Sequence, residues 1–341
     1  MLVRLEQWMK IGALRESDPN ENRVALVPET VERLVKAGHE LFIEHGAGTA
    51  AGFPDSDYLE AGAKNASATE IAGSVEILVH VQPPSSEEVA SLKKGCIVVS
   101  TLNARTNPSG VTGLASAGVT ALAMELVPRI ARAQRMDVLS SQASIAGYKA
   151  ALIAANSLGK YLPMMMTAAG TIPPAKVLVL GAGVAGLQAI ATTRRLGAVV
   201  EAFDVRAAAG EQVESLGAKF IQPPAAEDAE GAGGYARAQT EDEQAVQREF
   251  LKEHISQADA VITTAAIPGR PAPLLMTEDM VAVMKPGSVI IDLAAESGGN
   301  VAGTVAGEII VKNGVSINGP INVPSSMPFH ASQLYSRNVM A

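Results

Sequence analysis

One stretch of this 341-residue chain constrains its fold more than any other. Residues 177–186 read VLVLGAGVAG. Four apolar residues run straight into Gly181-Ala182-Gly183-Val184-Ala185-Gly186, and a helical pattern over 187–196 runs out. Strand, G-x-G-x-x-G turn and helix, in that order, make the dinucleotide fingerprint of a doubly wound α/β domain. The glycines permit a tight turn and let backbone approach a pyrophosphate, whose charge then faces a helix N-terminus. Asp204 ends the next strand, EAFD, 18 residues after Gly186. A carboxylate there suits the 2′-hydroxyl of an adenosine ribose and repels a 2′-phosphate. Such a charge-assisted hydrogen bond is worth roughly 1.5–3 kcal/mol. NAD(H) is therefore expected over NADP(H). Arg206 acts in the opposite sense by its ability to pair with phosphate, but the strand-end position gives Asp204 the greater weight. The expected cofactor residues here are Gly181, Gly183, Val184 and Gly186, then Asp204, Val205 and Arg206.

The rest of the chain alternates short β-branched runs with longer helical patterns. Strands are expected at 10–14, 40–44, 77–81, 97–101 and 120–123 in the first half. In the second half they fall at 177–180, 199–203, 219–221, 260–263 and 289–292. Between them lie amphipathic stretches such as 29–37 and 86–92. Alternation of this kind predicts mainly parallel sheets covered on both faces. The expected architecture is α/β, with two Rossmann-like doubly wound domains. Their join falls within 124–150, which gives an N-terminal domain over 1–139 and a dinucleotide-binding domain over 140–324. A long helix over about 141–166 opens the second domain, before Pro173-Pro174 leads into the fingerprint strand. Residues 263–273, TTAAIPGRPAP, follow a strand and so lie on the ligand side of the sheet, with Thr264 and Ala265 at the cofactor. Asp292 and Glu296 stand as catalytic candidates or, more in keeping with their place, as groups that orient loop backbone. Residues 223–243 fit no element. They read as a lid over a ligand or as a disordered insertion, with Tyr235 as their one aromatic residue.

Composition narrows the function. The 35 acidic residues exceed the 27 basic ones, for a net charge of −8. With no long basic run, nucleic-acid binding is not expected. A single cysteine, Cys96, leaves no disulfide framework and no cysteine-based zinc site, and no metal is expected. No segment reaches the ~18 unbroken apolar residues of a membrane span. The opening MLVRLEQW is not a signal peptide. A soluble, intracellular protein is expected, with attachment to a membrane partner left open.

At these residues the chain resembles the NAD(H)-binding components of proton-translocating nicotinamide nucleotide transhydrogenases, relatives of the alanine dehydrogenases. The resemblance covers nearly the whole chain from Met9. It rests on KIGALRE, NRVALVPETV, PRIARAQRMDVLSSQASIAGYKA, VLVLGAGVAGLQAIATTRRLGA, TTAAIPGRPAP and NVPSSMPFHASQLYSRN. The third stretch looks like the family's Arg–Gln–Asp loop, here Arg129, Gln134 and Asp137. Arg129 offers a fixed fork of donors. Gln134 can span two nucleotides without adding charge, Asp137 can hold Arg129, and Ser140 can bond a carboxamide. The resemblance implies that this loop lies beside the nicotinamide, with Gln134 toward a second nucleotide. It implies that Gly234, Tyr235 and Ala236 belong to a mobile loop closing over NAD(H), and that 325–341 return to the first domain. It also implies a homodimer, an NADP(H)-binding partner component, and a membrane subunit that translocates protons. The chain would then sit peripherally on the cytoplasmic face of the inner membrane.

Departures separate the two relatives. Alanine dehydrogenases carry a Lys and a His at the substrate, where this chain has Gln82, in HVQPP, and Asn103, in TLNAR. Arg23 is retained. Reduction of a 2-oxo acid and its imine needs a proton donor and acceptor, which Gln82 and Asn103 cannot supply. Hydride transfer between two nicotinamides releases no proton. Transhydrogenation is therefore expected, and an alanine dehydrogenase-like oxidoreductase is the alternative. His80, two residues before Gln82, is a substitute base in principle, but a satisfied, partly buried histidine is the plainer reading.

Overall fold

The computed structural model describes residues 8–223, 240–266 and 269–341. The chain divides into two compact units, Met1–Gln142 with Pro324–Ala341, and Ala143–Val323. Among the described residues no helix is long and apolar enough to cross a membrane.

The first unit opens with β1 (Lys10–Ala13), α1 (Pro28–Lys36), β2 (Glu40–Glu44), α2 (Asp55–Glu60), β3 (Lys64–Ala66) and α3 (Ala68–Ser74). It continues with β4 (Ile77–Val79), α4 (Ser86–Ser91), β5 (Ile97–Ser100), α5 (Pro108–Ser116) and β6 (Thr120–Ala123). Helix starts are chemically marked. Pro28 sits in the first turn of α1, and Ser67/Glu70 and Ser85/Glu88 form capping boxes on α3 and α4. The sheet order is β3-β2-β1-β4-β5-β6, all parallel. That is the doubly wound order, whose switch point lies between β1 and β4. Strand β3 (Lys-Asn-Ala) has no apolar run and is not expected from the sequence; its pairing to β2 supplies what its side chains do not.

Helix α6 (Val138–Ser157) contains the division between the units. It ends earlier than the sequence suggests. Gly159 and Pro163 break the pattern, and β7 (Met165–Thr167) and β8 (Gly170–Ile172) form an antiparallel hairpin in place of the expected end of the helix and the residues after it. Gly170, at φ +128°, supplies the backbone conformation that the tight turn needs.

The second unit continues with β9 (Lys176–Leu180), α7 (Val184–Arg195), β10 (Val199–Phe203), α8 (Ala209–Ser215) and β11 (Lys219–Phe220). Then come α9 (Glu241–Gln257), β12 (Ala260–Thr263), α10 (Glu278–Ala282), β13 (Val289–Asp292), β14 (Ile309–Lys312) and β15 (Val315–Asn318). Residues 241–243, expected to be loop, begin α9. The order β11-β10-β9-β12-β13-β15-β14 is parallel except for β14 at the edge. The β14–β15 hairpin is a further addition to the expected strands, although Asn313-Gly314 is a strong turn signal. Both residues have positive φ, as a type I′ turn requires. Alternation splits the core across the two sheet faces. Val177 and Val179 of β9 pack in one cluster, and Leu178 and Leu180 in the other.

Finally α11 (Pro328–Met340) belongs to the first unit. The Tyr335 hydroxyl, buried, donates to the His80 carbonyl at 2.7 Å. Ser332 and Ser336 accept from the Val24 and Val27 amides at 3.0 and 3.1 Å.

Helix α6 lies against the start of α7 with no room for a side chain. A Cβ on Gly147 would stand 2.0 Å from the Ala185 carbonyl oxygen. Gly147→Ala should therefore lose about 1–3 kcal/mol, although alanine is the better helix former. A thermal melt should show a Tm several degrees lower, while Gly159→Ala, which meets nothing within 4 Å, stays near wild type.

Candidate functional site

The fingerprint residues meet at the switch point of the second unit, between β9 and β12. Gly181 leaves β9 at φ +99°, where only glycine is unstrained. A Cβ on Gly186 would lie 1.8 Å from the Gly181 carbonyl oxygen, so the helix rests directly on the turn. Gly183, the N-cap of α7, is different. It has no side-chain cap, and a Cβ there would meet nothing within 4 Å. The first amides of a 12-residue helix therefore open onto free space beside a glycine, a geometry that fits a pyrophosphate. Val184 is exposed at this edge.

Asp204 is buried at the end of β10. Its carboxylate accepts from the Ala182 amide at 2.7 Å, which ties it to the turn. It also accepts from the Arg206 amide, Nε and Nη2, each at 2.9 Å. These bonds engage both carboxylate oxygens, so a ribose hydroxyl reaches Asp204 only by displacing the guanidinium. Val205, between them in the chain, is half-buried. Thr264 follows β12 and donates its hydroxyl to the Gly181 carbonyl at 3.0 Å. The Ala265 amide donates to Asn300 Oδ1 at 3.1 Å. Gly234, Tyr235 and Ala236 lie outside the described residues.

Asp292 orients backbone. Its carboxylate accepts from the Ala294, Asn300 and Val301 amides and from the Thr263 and Thr304 hydroxyls. Glu296 accepts from the Asn322 amide at 3.1 Å. Asn300 is not among the residues that the sequence singles out. Its role is set by contacts about 35 residues away along the chain, which no local pattern announces.

In the first unit, Arg129, Gln134, Asp137 and Ser140 gather at a 3-10 turn, Ala131–Met136, before α6. Asp137 caps the helix, accepting from the Ser140 amide at 2.9 Å and hydroxyl at 2.7 Å. Arg129 Nε stands 3.6 Å from the same carboxylate. Gln134 is exposed.

The switch point of this unit, between β1 and β4, is held differently. Glu16 accepts from the Val81 and Gln82 amides at 2.7 and 2.9 Å. Arg23 is buried and forked onto Glu21 at 2.8 and 2.6 Å, with its third nitrogen on Gln142 at 2.8 Å. Gln82 donates to Glu21 at 2.9 Å. Asn103, at φ +52°, is an exposed turn residue.

His80 is wholly buried, with ring nitrogens 3.4 Å from Glu16 and 3.8 Å from Glu88 and no well-formed hydrogen bond to either. Its side chain is closed off from solvent. Burial disfavours its charged form, but Glu16, Glu88 and Glu44 outweigh that and raise its pKa above the ordinary 6.5.

A glycine turn at the switch point of a doubly wound sheet, with a carboxylate on the second strand, defines a dinucleotide-binding α/β protein. Residues 12–146 match the family described as alanine dehydrogenase/PNT, N-terminal domain, and residues 150–341 match alanine dehydrogenase/PNT, C-terminal domain. The chain belongs to this alanine dehydrogenase/PNT family. It is 50% identical over 340 residues to a Rhodospirillum rubrum protein named as a component of NAD(P) transhydrogenase subunit alpha, covering 97% of this chain and 88% of that protein. A transhydrogenase structure from Sinorhizobium meliloti is 47% identical, with a TM-score of 0.88 over 97% of this chain and 92% of that one. Alanine dehydrogenase of Bacillus subtilis is more distant, at 31% over 294 residues, or 85% of this chain and 72% of that one.

The raised pKa of His80 has a sign that can be measured. A group whose pKa is higher folded than unfolded adds stability below its unfolded value and loses it as pH rises through the folded value. Urea unfolding between about pH 6 and about pH 8.5 should show stability falling above 6.5. His80→Leu should flatten that fall, whereas an unchanged slope would place the titrating group elsewhere.

Proposed function

We propose that this chain is the NAD(H)-binding subunit of a proton-translocating nicotinamide nucleotide transhydrogenase. In this reading it presents NADH to NADP⁺ held on a separate component, while membrane subunits couple the exchange to proton movement. Its domains are 1–139 with 325–341, and 140–324. It works as a homodimer on the cytoplasmic face of the inner membrane, attached through its partners. The observation that carries transhydrogenation over alanine oxidation lies in the first unit. Gln82 and Asn103 do not titrate near neutral pH, Arg23 is engaged by Glu21, and His80 is sealed away. The 50% identity to a protein named as a transhydrogenase component supports the same reading.

When bound, NADH supplies the hydride. The residues of this chain bind and orient. The α7 amides beyond Gly183 hold the pyrophosphate, and Asp204 takes the ribose. Arg129, held by Asp137, and Ser140 act on the nicotinamide side, where exposed Gln134 reaches toward a second nucleotide. The resemblance assigns Gly234, Tyr235 and Ala236 to the cofactor as well. Proximity of the two rings, with water excluded, is then the main catalytic device.

NADH should bind to the purified chain, seen by its fluorescence, but not be consumed with pyruvate and ammonium. Addition of an NADP⁺-loaded partner component should start hydride transfer. Steady turnover with pyruvate and ammonium would instead establish the dehydrogenase reading. In a second test, Asp204→Ala removes the ribose acceptor and releases Arg206 for a 2′-phosphate. The preference for NADH over NADPH should narrow by about tenfold or more. Unchanged discrimination in paired titrations would move the specificity to another residue.

A further inference from the structure

The loop after β12 leaves the sheet at Thr264 and reaches an isolated bridge between Met276 and Val301. One buried side chain ties its two ends together. The Asn300 carboxamide accepts from the Ala265 amide at 3.1 Å and donates to the Ala265 carbonyl at 2.8 Å. It donates again to the Pro273 carbonyl at 2.8 Å. The Asn300 backbone carbonyl accepts from the Leu275 and Met276 amides at 2.8 and 2.9 Å. A single residue thus serves five backbone groups of the loop, and it is fully buried.

Asn300 is itself held from below. Its amide donates to Asp292 at 2.8 Å. Gly298 and Gly299, at φ +102° and +84°, turn the chain so that it passes under the loop. A Cβ on Gly299 would come within 2.9 Å of the Asp292 carboxylate. On the other side, Ala265 is bonded in the chain to Thr264, whose hydroxyl holds the Gly181 carbonyl. A continuous path therefore runs from the Asp292 carboxylate through Asn300, Ala265 and Thr264 to the first glycine of the fingerprint.

We propose that Asn300 is a positioning residue for the dinucleotide: its carboxamide fixes Ala265, and through Thr264 sets the glycine turn against the loop after β12. The inference rests on the dinucleotide reading of the second unit. It assigns Asn300 no contact with the cofactor. The chemistry requires a group that accepts on one atom and donates twice on the other, with both atoms in one plane. Among the twenty side chains, a primary amide of this length is the one that does so.

Asn300→Asp tests this requirement with almost no change of shape. One carboxylate oxygen still accepts from the Ala265 amide. The other faces the Ala265 and Pro273 carbonyl oxygens with no proton to give. Protonation restores one donor, so the defect should heal as pH falls, and burial among carbonyls raises the pH at which it does so. NAD⁺ affinity, measured by calorimetry from about pH 8 to about pH 5.5, should be about tenfold or more weaker than wild type at the upper end. It should recover at least threefold (about one donor regained) at the lower end, while wild type stays flat. A variant that binds like wild type throughout, or is weak without recovery, overturns the proposal. Should wild type itself not bind NAD⁺, the dinucleotide reading falls, and this inference with it. Should circular dichroism show Asn300→Asp unfolded, Thr264→Val decides. It removes only the hydroxyl on Gly181, and NAD⁺ affinity equal to wild type would then overturn the proposal.

Discussion

The contact of α7 with the turn at Gly181 fixes the geometry of the second unit. A helix that comes within 1.8 Å of a carbonyl oxygen, measured from an absent Cβ, tolerates only glycine at that point. The contact aims the helix axis at the carboxyl end of β9. From there the open amides beyond Gly183 face the switch point, and Asp204 reaches back to the Ala182 amide. The same closeness recurs one helix away, where Gly147 of α6 meets the Ala185 carbonyl. Two bare backbone contacts therefore locate α7, one at the turn and one at its flank. No side-chain rearrangement relieves either of them, which is why small changes of volume there carry large effects.

A second device is used in both units. Loops at the carboxyl ends of strands are held by carboxylates that accept from backbone amides. Glu16 does this for Val81 and Gln82, Glu125 for Leu102 and Ala104, Asp204 for Ala182 and Arg206, and Asp292 for three amides at once. A carboxylate with several such donors is well satisfied when buried. The two switch points nevertheless differ. In the second unit the glycine turn leaves helix amides open. In the first, Glu16 bonds the amides after β4 itself, and Arg23 and Glu21 engage one another. A doubly wound sheet offers a crevice at each switch point, and local side chains decide which of the two is furnished for phosphate.

The central strands are legible in the sequence because they are buried on both faces and so carry unbroken apolar runs, as in β9, β12 and β13. The fingerprint is legible because its residues are contiguous. Edge elements are not. Strand β3 is defined by its neighbour rather than by its own side chains. The β7–β8 hairpin carries Met and Thr in a stretch whose apolar content reads equally well as helix. The β14–β15 hairpin is the exception: Asn313-Gly314 announces its turn, and Ile309, Ile310 and Val311 give β14 an apolar run as long as those of β12 and β13. At the site, Asp204 is readable from its spacing, but its engagement by Arg206 is not. Asn300 is invisible, since its significance comes entirely from chain segments that folding brings to it. The reading of Asp292 as a group that orients loop backbone agrees with its bonds to three amides and two hydroxyls.

The placement of α11 bears on how the chain is made. Tyr335 belongs to the core of the first unit, more than 250 residues beyond the His80 carbonyl that it bonds. Ser332 and Ser336 likewise satisfy amides at Val24 and Val27. A polypeptide leaving the ribosome presents its amino-terminal end first, and domains generally fold in that order. Here the order is reversed for completion. Residues 143–323 form a contiguous unit and can close their core before α11 has been synthesised. The amino-terminal unit emerges earlier, yet keeps the space of Tyr335 open and the Val24 and Val27 amides unmet until that helix arrives. The nascent chain therefore carries an unfinished first unit while residues 143–323 are made, and the interval in which its apolar surface needs protection is set by the time taken to reach residue 335.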